Sequence, residues 1–296
     1  MKKLFVGSGV ALVTPFKDGK IDYDSMGNLI EWHIENNTDA IIVCGTTGES
    51  ATMTDKERKT TIKFVVDKVN KRIPVIAGSG SNNTAYSVEL SKYCQDVGVD
   101  GLLEVTPYYN KSTQSGLIKH FTTIAESVDL PIILYNVPGR TGVNINPTTV
   151  EKLSKVKNIV AIKEASGNIS QVAEIARLCG EDFAIYSGND DQIVPILSLG
   201  GCGVISVLAN VLPKETHDIV EKYLLGDIEA SKKLQLDLNG LVSSLFIEVN
   251  PIPVKAALNL MGLNAGELRL PLIDISEANL KILADEMRKC GIKIDN

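Results

Sequence analysis

Lys163 ends an apolar, β-branched run, Ile159-Val160-Ala161-Ile162-Lys163. Lysine is uncommon in a buried strand because taking an ammonium out of water is costly. Strand alternation puts Ala161 and Lys163 on one face, with Val160 and Ile162 on the other. An amine held there can attack a carbonyl carbon and form an imine. The plainer alternative pairs Lys163 with a carboxylate at the strand end, such as Glu164. Tyr135 ends a second run, Pro131 to Tyr135, and shares a face with Ile133. A phenol there can shuttle protons if another hydroxyl relays them to solvent, or it is a core tyrosine with a satisfied hydroxyl. Arg140 follows in Pro138-Gly139-Arg140-Thr141-Gly142. It suits a carboxylate-bearing substrate, or is a surface arginine. Gly45-Thr46-Thr47-Gly48-Glu49-Ser50 offers an anion backbone N–H groups and the hydroxyls of Thr46 and Thr47. Tyr108-Tyr109 reads as an aromatic interface patch, which leaves a catalytic role open.

These residues need a scaffold. Short apolar runs lie near 6–13, 40–44, 74–77, 101–106, 132–136, 159–163, 183–187 and 203–207. Helical patterns lie between them, near 24–36, 54–70, 82–97, 114–127, 147–154, 169–179 and 190–199. Thr54 and Glu57 have capping-box spacing, Pro147 fits a first helical position, and Gly98 and Gly180 fit helix ends. Strands separated by single helices imply right-handed crossovers and a parallel sheet. Eight of them predict an α/β fold of the (β/α)8 TIM-barrel type, with an open doubly wound sheet as the alternative. A barrel's functional face lies at the C-terminal ends of its strands, where all the residues above fall. Beyond the eighth strand the alternation stops, and helices are expected near 213–224, 227–245, 251–261 and 277–289. The chain thus divides into a barrel catalytic domain, 1–226, and a C-terminal helical domain, 227–296. Glu104 is odd: a carboxylate inside an expected buried strand, on the face of Thr106, fit for a hydrogen-bonded or ion-paired place.

Composition removes several functions. The 296 residues carry 30 Lys and Arg against 36 Asp and Glu, a net charge of −6, with no basic run of five. Such a surface repels phosphate backbones, so no nucleic-acid partner is expected. His33, His120 and His217 are scattered and no HExxH occurs, so no metal site is expected. Cys44, Cys94, Cys179, Cys202 and Cys290 are odd in number and lack a CxxC, which fits a reducing cytoplasm. GxGxxG, P-loop and GxSxG motifs are absent. The start, Met1-Lys2-Lys3-Leu4-Phe5-Val6, faintly resembles a signal peptide but is cut by Gly7, Gly9 and Pro15, and reads as a first strand. Gln192 to Pro213 holds 22 residues without a formal charge. Pro195, Gly200-Gly201, Gly203 and Asn210 break it, so it reads as core and not as a membrane span.

Four motifs together resemble the dihydrodipicolinate (4-hydroxy-tetrahydrodipicolinate) synthase family, one branch of the N-acetylneuraminate lyase-like pyruvate aldolases. They are the Gly45–Ser50 loop, Val105-Thr106-Pro107-Tyr108-Tyr109-Asn110, Leu134 to Gly142, and Ile162-Lys163-Glu164-Ala165-Ser166-Gly167. Ser187-Gly188-Asn189-Asp190, Gly203 to Val207 and Asn250 to Lys255 continue the likeness along nearly the whole chain. The resemblance implies a Schiff-base lyase that condenses pyruvate with L-aspartate 4-semialdehyde to 4-hydroxy-tetrahydrodipicolinate, on the route to diaminopimelate and lysine. It implies that Lys163 forms the imine and that Tyr135 moves protons with Thr46 and Tyr109, Tyr109 reaching into a neighbouring subunit's site. Thr47, Gly188 and Ile205 would lie against pyruvate, and Arg140 would receive the semialdehyde's carboxylate. No metal or organic cofactor is implied, and the assembly would be a homotetramer, a dimer of dimers. Ser50, Ala51, Asn82 and Tyr108 match the family's lysine-feedback site. That site departs at Asp55 and Arg58, where lysine-inhibited members carry histidines, and at Tyr86, where they carry a glutamate. Weak or absent feedback by lysine is therefore expected. Sister aldolases acting on N-acetylneuraminate or a 2-keto-3-deoxy sugar acid share the pyruvate half of the mechanism; Thr47, Tyr108-Tyr109 and Arg140 favour the synthase.

Overall fold

The computed structural model describes residues 3–294, so Met1 and Lys2 of the leading stretch and the last two residues of the helical domain lie outside it. Eight parallel strands close into a barrel. They are β1 (Gly7–Ala11), β2 (Ala40–Val43), β3 (Val75–Gly78), β4 (Gly101–Val105), β5 (Ile132–Asn136), β6 (Ile159–Glu164), β7 (Ala184–Ser187) and β8 (Gly203–Ser206). β1 pairs with both β2 and β8, which excludes the open sheet. The returning helices are α1 (Tyr23–Glu35), α2 (Asp55–Val69), α3 (Thr84–Val97), α4 (Gln114–Ala125), α5 (Pro147–Leu153), α6 (Ile169–Cys179), α7 (Ile193–Ser198) and α8 (Pro213–Leu224). The fold is thus a (β/α)8 TIM barrel with further helices after it.

Local chemistry sets the helix ends. The Thr54–Glu57 capping box forms in both directions, and Asp22, Asn83, Thr113 and Asn168 each cap a helix through a side-chain oxygen. Pro147 occupies a first-turn position, and Gly98 and Gly180 stand just past helix ends with positive φ.

Two apolar layers follow from strand alternation. Outward side chains such as Ile41, Leu102, Leu134 and Ile162 pack on the helices. Inward ones such as Ile42, Ile76, Leu103, Ile133 and Ala161 fill the barrel. Phe5 stacks on Tyr186 at 4.4 Å and accepts its hydroxyl at 2.7 Å, closing the N-terminal end. The alternation has one interruption. The β5–β6 register slips so that Ile132 faces Ile159 while Ile133 faces Ala161, and Val160 is the extra residue. Val160 therefore packs against the inner cluster and does not share the outer face with Ile162, as simple alternation predicts. The slip leaves Tyr135 paired with Lys163 across the two strands.

The chain continues as α9 (Ile228–Asp237), α10 (Asn239–Ser244), α11 (Ile252–Leu260) and α12 (Glu277–Lys289). The expected helix over 227–245 is two segments meeting at buried Leu238, because α9 packs on α8 while α10 turns to pack on α12. The first turn of the expected helix over 190–199 is 3-10, and α7 begins at Ile193. No helix among the described residues is long and apolar enough to cross a membrane.

Glu104 stands on the outer face of β4, between the inward Leu103 and Val105, in a hydrogen-bonded place. It is fully buried, and its Oε1 accepts hydrogen bonds from Ser79 and, at 3.2 Å, from Ser91 of α3, so it points into the helix layer. Burial pushes its carboxyl up to about 7, and the two serines offset this only in part. The native chain therefore holds a proton that the unfolded chain has lost between about pH 4.5 and 7. Stability should fall as pH rises through that window, by on the order of 2–3 kcal/mol, and then level off. Urea unfolding of the Glu104→Gln variant should lack this fall and show greater stability than the native sequence at about pH 8. The same slope in both proteins would contradict the assignment.

Candidate active site

The mouth of the barrel holds a small cavity of about 60 Å³ lined by Thr46, Thr47, Tyr135, Arg140, Lys163 and Gly188, among others. Lys163 is buried, and its Nζ lies 4.4 Å from the centre of the Tyr135 ring. The cross-strand pairing of Tyr135 with Lys163 produces this contact. Lys163 makes none of the ion pairs formed among the described residues. Glu164, its neighbour in sequence, points the other way. Its oxygens accept from Asn136 Nδ2 at 3.0 Å, Ser166 N at 2.7 Å and Gln171 Nε2 of α6 at 3.1 Å. The pairing of Lys163 with Glu164 is thereby excluded. Asp190 follows β7 and is a buried acid that the Lys163 charge acts on. Its Oδ2 accepts from Val207 N at 3.1 Å and Leu208 N at 2.9 Å, and burial raises its carboxyl above the usual range.

Gly188 shows why no side chain can stand beside Lys163. A Cβ there would meet Ala165 Cβ at 2.6 Å, Glu164 O at 3.0 Å and Lys163 Cε at 3.1 Å. Small residues at Ala11, Ala165 and Gly188 leave the cavity open around the amine.

The turn after β2 carries both threonines. Glu49 N closes it on Thr46 O at 3.1 Å, and Glu49 takes the left-handed region at φ 54. Thr47 is buried and Thr46 exposed. Neither the Tyr135 hydroxyl nor the Thr46 hydroxyl has a hydrogen-bond partner among the described residues, and both residues line the cavity. Arg140 lies in the short helix Pro138–Thr141 after β5 and donates from Nη2 to Asn250 O at 3.2 Å.

Two sequence-selected residues stand apart from this cavity. Ile205 is fully buried in the inner layer, and Val207 supplies the apolar wall instead. Tyr109 is 92 % exposed with φ 66 and does not line its own chain's cavity. Ser50, Ala51 and Tyr108 line a second space of about 440 Å³, which shares Thr46, Tyr135 and Arg140 with the first. Arg58 and Tyr86 line it too. Asn82 instead lines a neighbouring cleft with Asn110 and His120. Asp55 is held by Tyr86 Oη at 2.9 Å and Lys59 at 2.9 Å, and these partners keep its carboxyl below the usual range.

Sequence reasoning did not single out Phe246 and Asn250, which lie in the connection between α10 and α11 and line the small cavity. Only the run Asn250-Pro251-Ile252-Pro253 marked that segment at all. Among the described residues one group has metal-ligand spacing, His217, Asp218 and Glu221 on α8. His217 Nδ1 bonds Asp39 at 2.8 Å just before β2, so this group sits at the opposite end of the barrel from the cavity.

Residues 4–289 match the dihydrodipicolinate synthetase family. A 4-hydroxy-tetrahydrodipicolinate synthase of Clostridium perfringens is 59% identical over 289 residues, covering 98% of this chain and 99% of the relative. One from Caldicellulosiruptor saccharolyticus is 61% identical over 292 residues, with the same coverage. The crystal structure of dihydrodipicolinate synthase from Aquifex aeolicus superposes with a TM-score of 0.97 at 47% identity, covering 99% of this chain and all of that one. By sequence along almost its whole length and by fold, the chain belongs to the dihydrodipicolinate synthetase family.

Proposed function

We propose that the chain condenses pyruvate with L-aspartate 4-semialdehyde to 4-hydroxy-tetrahydrodipicolinate through an imine on Lys163. Relatives at 59% and 61% identity that carry the synthase name support the reaction. The observation that carries the mechanism is a buried lysine amine over the Tyr135 ring, with no carboxylate paired to it, in a cavity sized for a molecule of a few heavy atoms.

Lys163 Nζ attacks the ketone carbon of pyruvate, and water leaves to give the imine. A proton then leaves the methyl carbon, and its electron pair is held in the enamine. That carbon adds to the aldehyde carbon, whose oxygen takes up a proton. The amine of the semialdehyde finally attacks the imine carbon, closes the ring and releases Lys163. The imine acts as the electron sink, so no metal or organic cofactor enters. Tyr135 would move protons at both the imine and aldehyde stages, with Thr46 and a neighbouring chain's Tyr109 as relays. Thr47 would hold pyruvate's carboxylate and Arg140 that of the semialdehyde, with Gly188 and the inner layer around Ile205 shaping the pyruvate end. These local donors offset a net charge of −6, which repels anionic substrates at long range.

The same proposal divides the chain into a barrel domain, 1–226, and a helical domain, 227–296. It places the protein in the cytoplasm, supported by five unpaired cysteines. It assembles the chain as a homotetramer, supported by Tyr109, left 92 % exposed, beside the exposed Tyr108.

Lys163→Ala should abolish turnover. Tyr135→Phe should lower kcat by on the order of 10²-fold with pyruvate KM changed far less, since a proton transfer and not a binding contact is lost. A Tyr135→Phe variant at full kcat would remove the phenol from the mechanism. Lysine should inhibit weakly or not at all, because the second space presents the Arg58 guanidinium and Asp55 is already held by Lys59 and Tyr86. Half-inhibition at sub-millimolar lysine in an initial-rate assay would contradict this.

A further inference from the structure

The C-terminal region reaches the cavity through Phe246 and Asn250, and of these Asn250 carries the polar contacts. Asn250 immediately precedes the segment that runs into α11, and it is 5 % exposed. Its Nδ2 donates to Thr47 Oγ1 at 2.9 Å, and its carbonyl accepts from Arg140 Nη2 at 3.2 Å. Asn250 is thus bonded to both side chains that the proposed reaction uses to hold substrate carboxylates.

The direction of the first bond matters. A hydroxyl oxygen that accepts from an amide N–H keeps its own hydrogen free to donate elsewhere. Thr47 lines the cavity, is buried, and has no other side-chain hydrogen bond among the described residues, so its free hydrogen can serve an anion in that cavity. The carbonyl of Asn250 similarly fixes one Nη of Arg140 and leaves the rest of the guanidinium fork available.

A buried ion pair holds the same two segments together from behind. Lys255 Nζ of α11 bonds Glu49 Oε1 at 2.9 Å and Thr14 O at 3.0 Å, and both side chains are 1 % exposed. The other oxygen, Glu49 Oε2, accepts from Arg269 N at 3.1 Å. Glu49 ends the turn that begins at Thr46, so that turn is braced at Glu49 by Lys255 of α11 and at Thr47 by Asn250, which leads into α11.

We propose that Asn250 is a positioning residue that orients the Thr47 hydroxyl and the Arg140 guanidinium toward substrate carboxylates. This rests on the synthase reading above.

Steady-state kinetics of the full-length chain with pyruvate and L-aspartate 4-semialdehyde test it. Asn250→Asp keeps the size but cannot donate to Thr47; it recaptures the hydroxyl hydrogen and puts a negative charge beside the anion site. It should raise pyruvate KM by about tenfold or more, and more than Asn250→Ala does, with kcat lowered far less. A residue that only fills space gives the opposite order, with the isosteric Asp the milder change. The cycle of Asn250→Ala, Thr47→Val and the double variant should be non-additive, since Asn250 acts through Thr47. An Asp variant milder than the Ala variant, or fully additive effects in the cycle, overturns the inference while the synthase reading stands. An Asp variant that fails to fold leaves the Ala cycle to decide. A native chain that shows no turnover overturns the synthase reading and this inference with it.

Discussion

The pairing of Tyr135 with Lys163 across β5 and β6 is the contact on which the rest of the site depends. An amine inside a barrel would ordinarily be neutralised by a neighbouring carboxylate. Here the adjacent acid, Glu164, faces the helix layer, where three kinds of donor satisfy it. Asp190 forms no ion pair with Lys163 among the described residues, and its Oδ2 is occupied by two backbone N–H groups. What remains beside Nζ is the face of an aromatic ring, which attracts an ammonium yet does not tie up the lone pair of the neutral amine. Small residues around it then keep room for a ligand, and Gly188 is the tightest of these places.

The second constraint comes from behind the site. A buried Lys–Glu pair is costly to desolvate and stabilises a fold only when its remaining donors and acceptors are met. Lys255 and Glu49 meet that condition through backbone groups from separate parts of the chain. Burial lowers the Lys255 ammonium from its ordinary value, with Glu49 the main opposing influence. The arrangement makes the C-terminal helices part of the active-site wall, since Phe246 and Asn250 arrive on the same segment. A domain boundary near 227 therefore describes the order of elements along the chain more than a separation of tasks.

Much of this was legible in the sequence, for reasons that can be named. Period-2 alternation placed Tyr135 and Lys163 inward because both stand at the mouth-side ends of short apolar strands. Capping at Thr54 and proline at 147 were readable because they depend on neighbours within a turn. The Val160 slip was not, because an extra residue in one strand has no signature without its partner's register. Asn250, Phe246 and the Glu49–Lys255 pair were not, because they depend on how distant helices dock. Glu104 and its hydrogen-bonded place were legible, but its partners Ser79 and Ser91 were not, because they come from a loop and a helix that strand alternation does not name. Ile205 is buried in the inner layer and Val207 lines the cavity, a difference of depth that strand alternation alone does not give.

The central claim is that the Lys163 amine forms a covalent imine with a 2-oxo acid. Borohydride reduction in the presence of pyruvate alone, followed by peptide mass spectrometry, tests it most directly. The account predicts one reduced pyruvyl group on the peptide bearing Lys163, absent when pyruvate or borohydride is omitted. A chain that stays unmodified, or an adduct confined to other lysines, would contradict it.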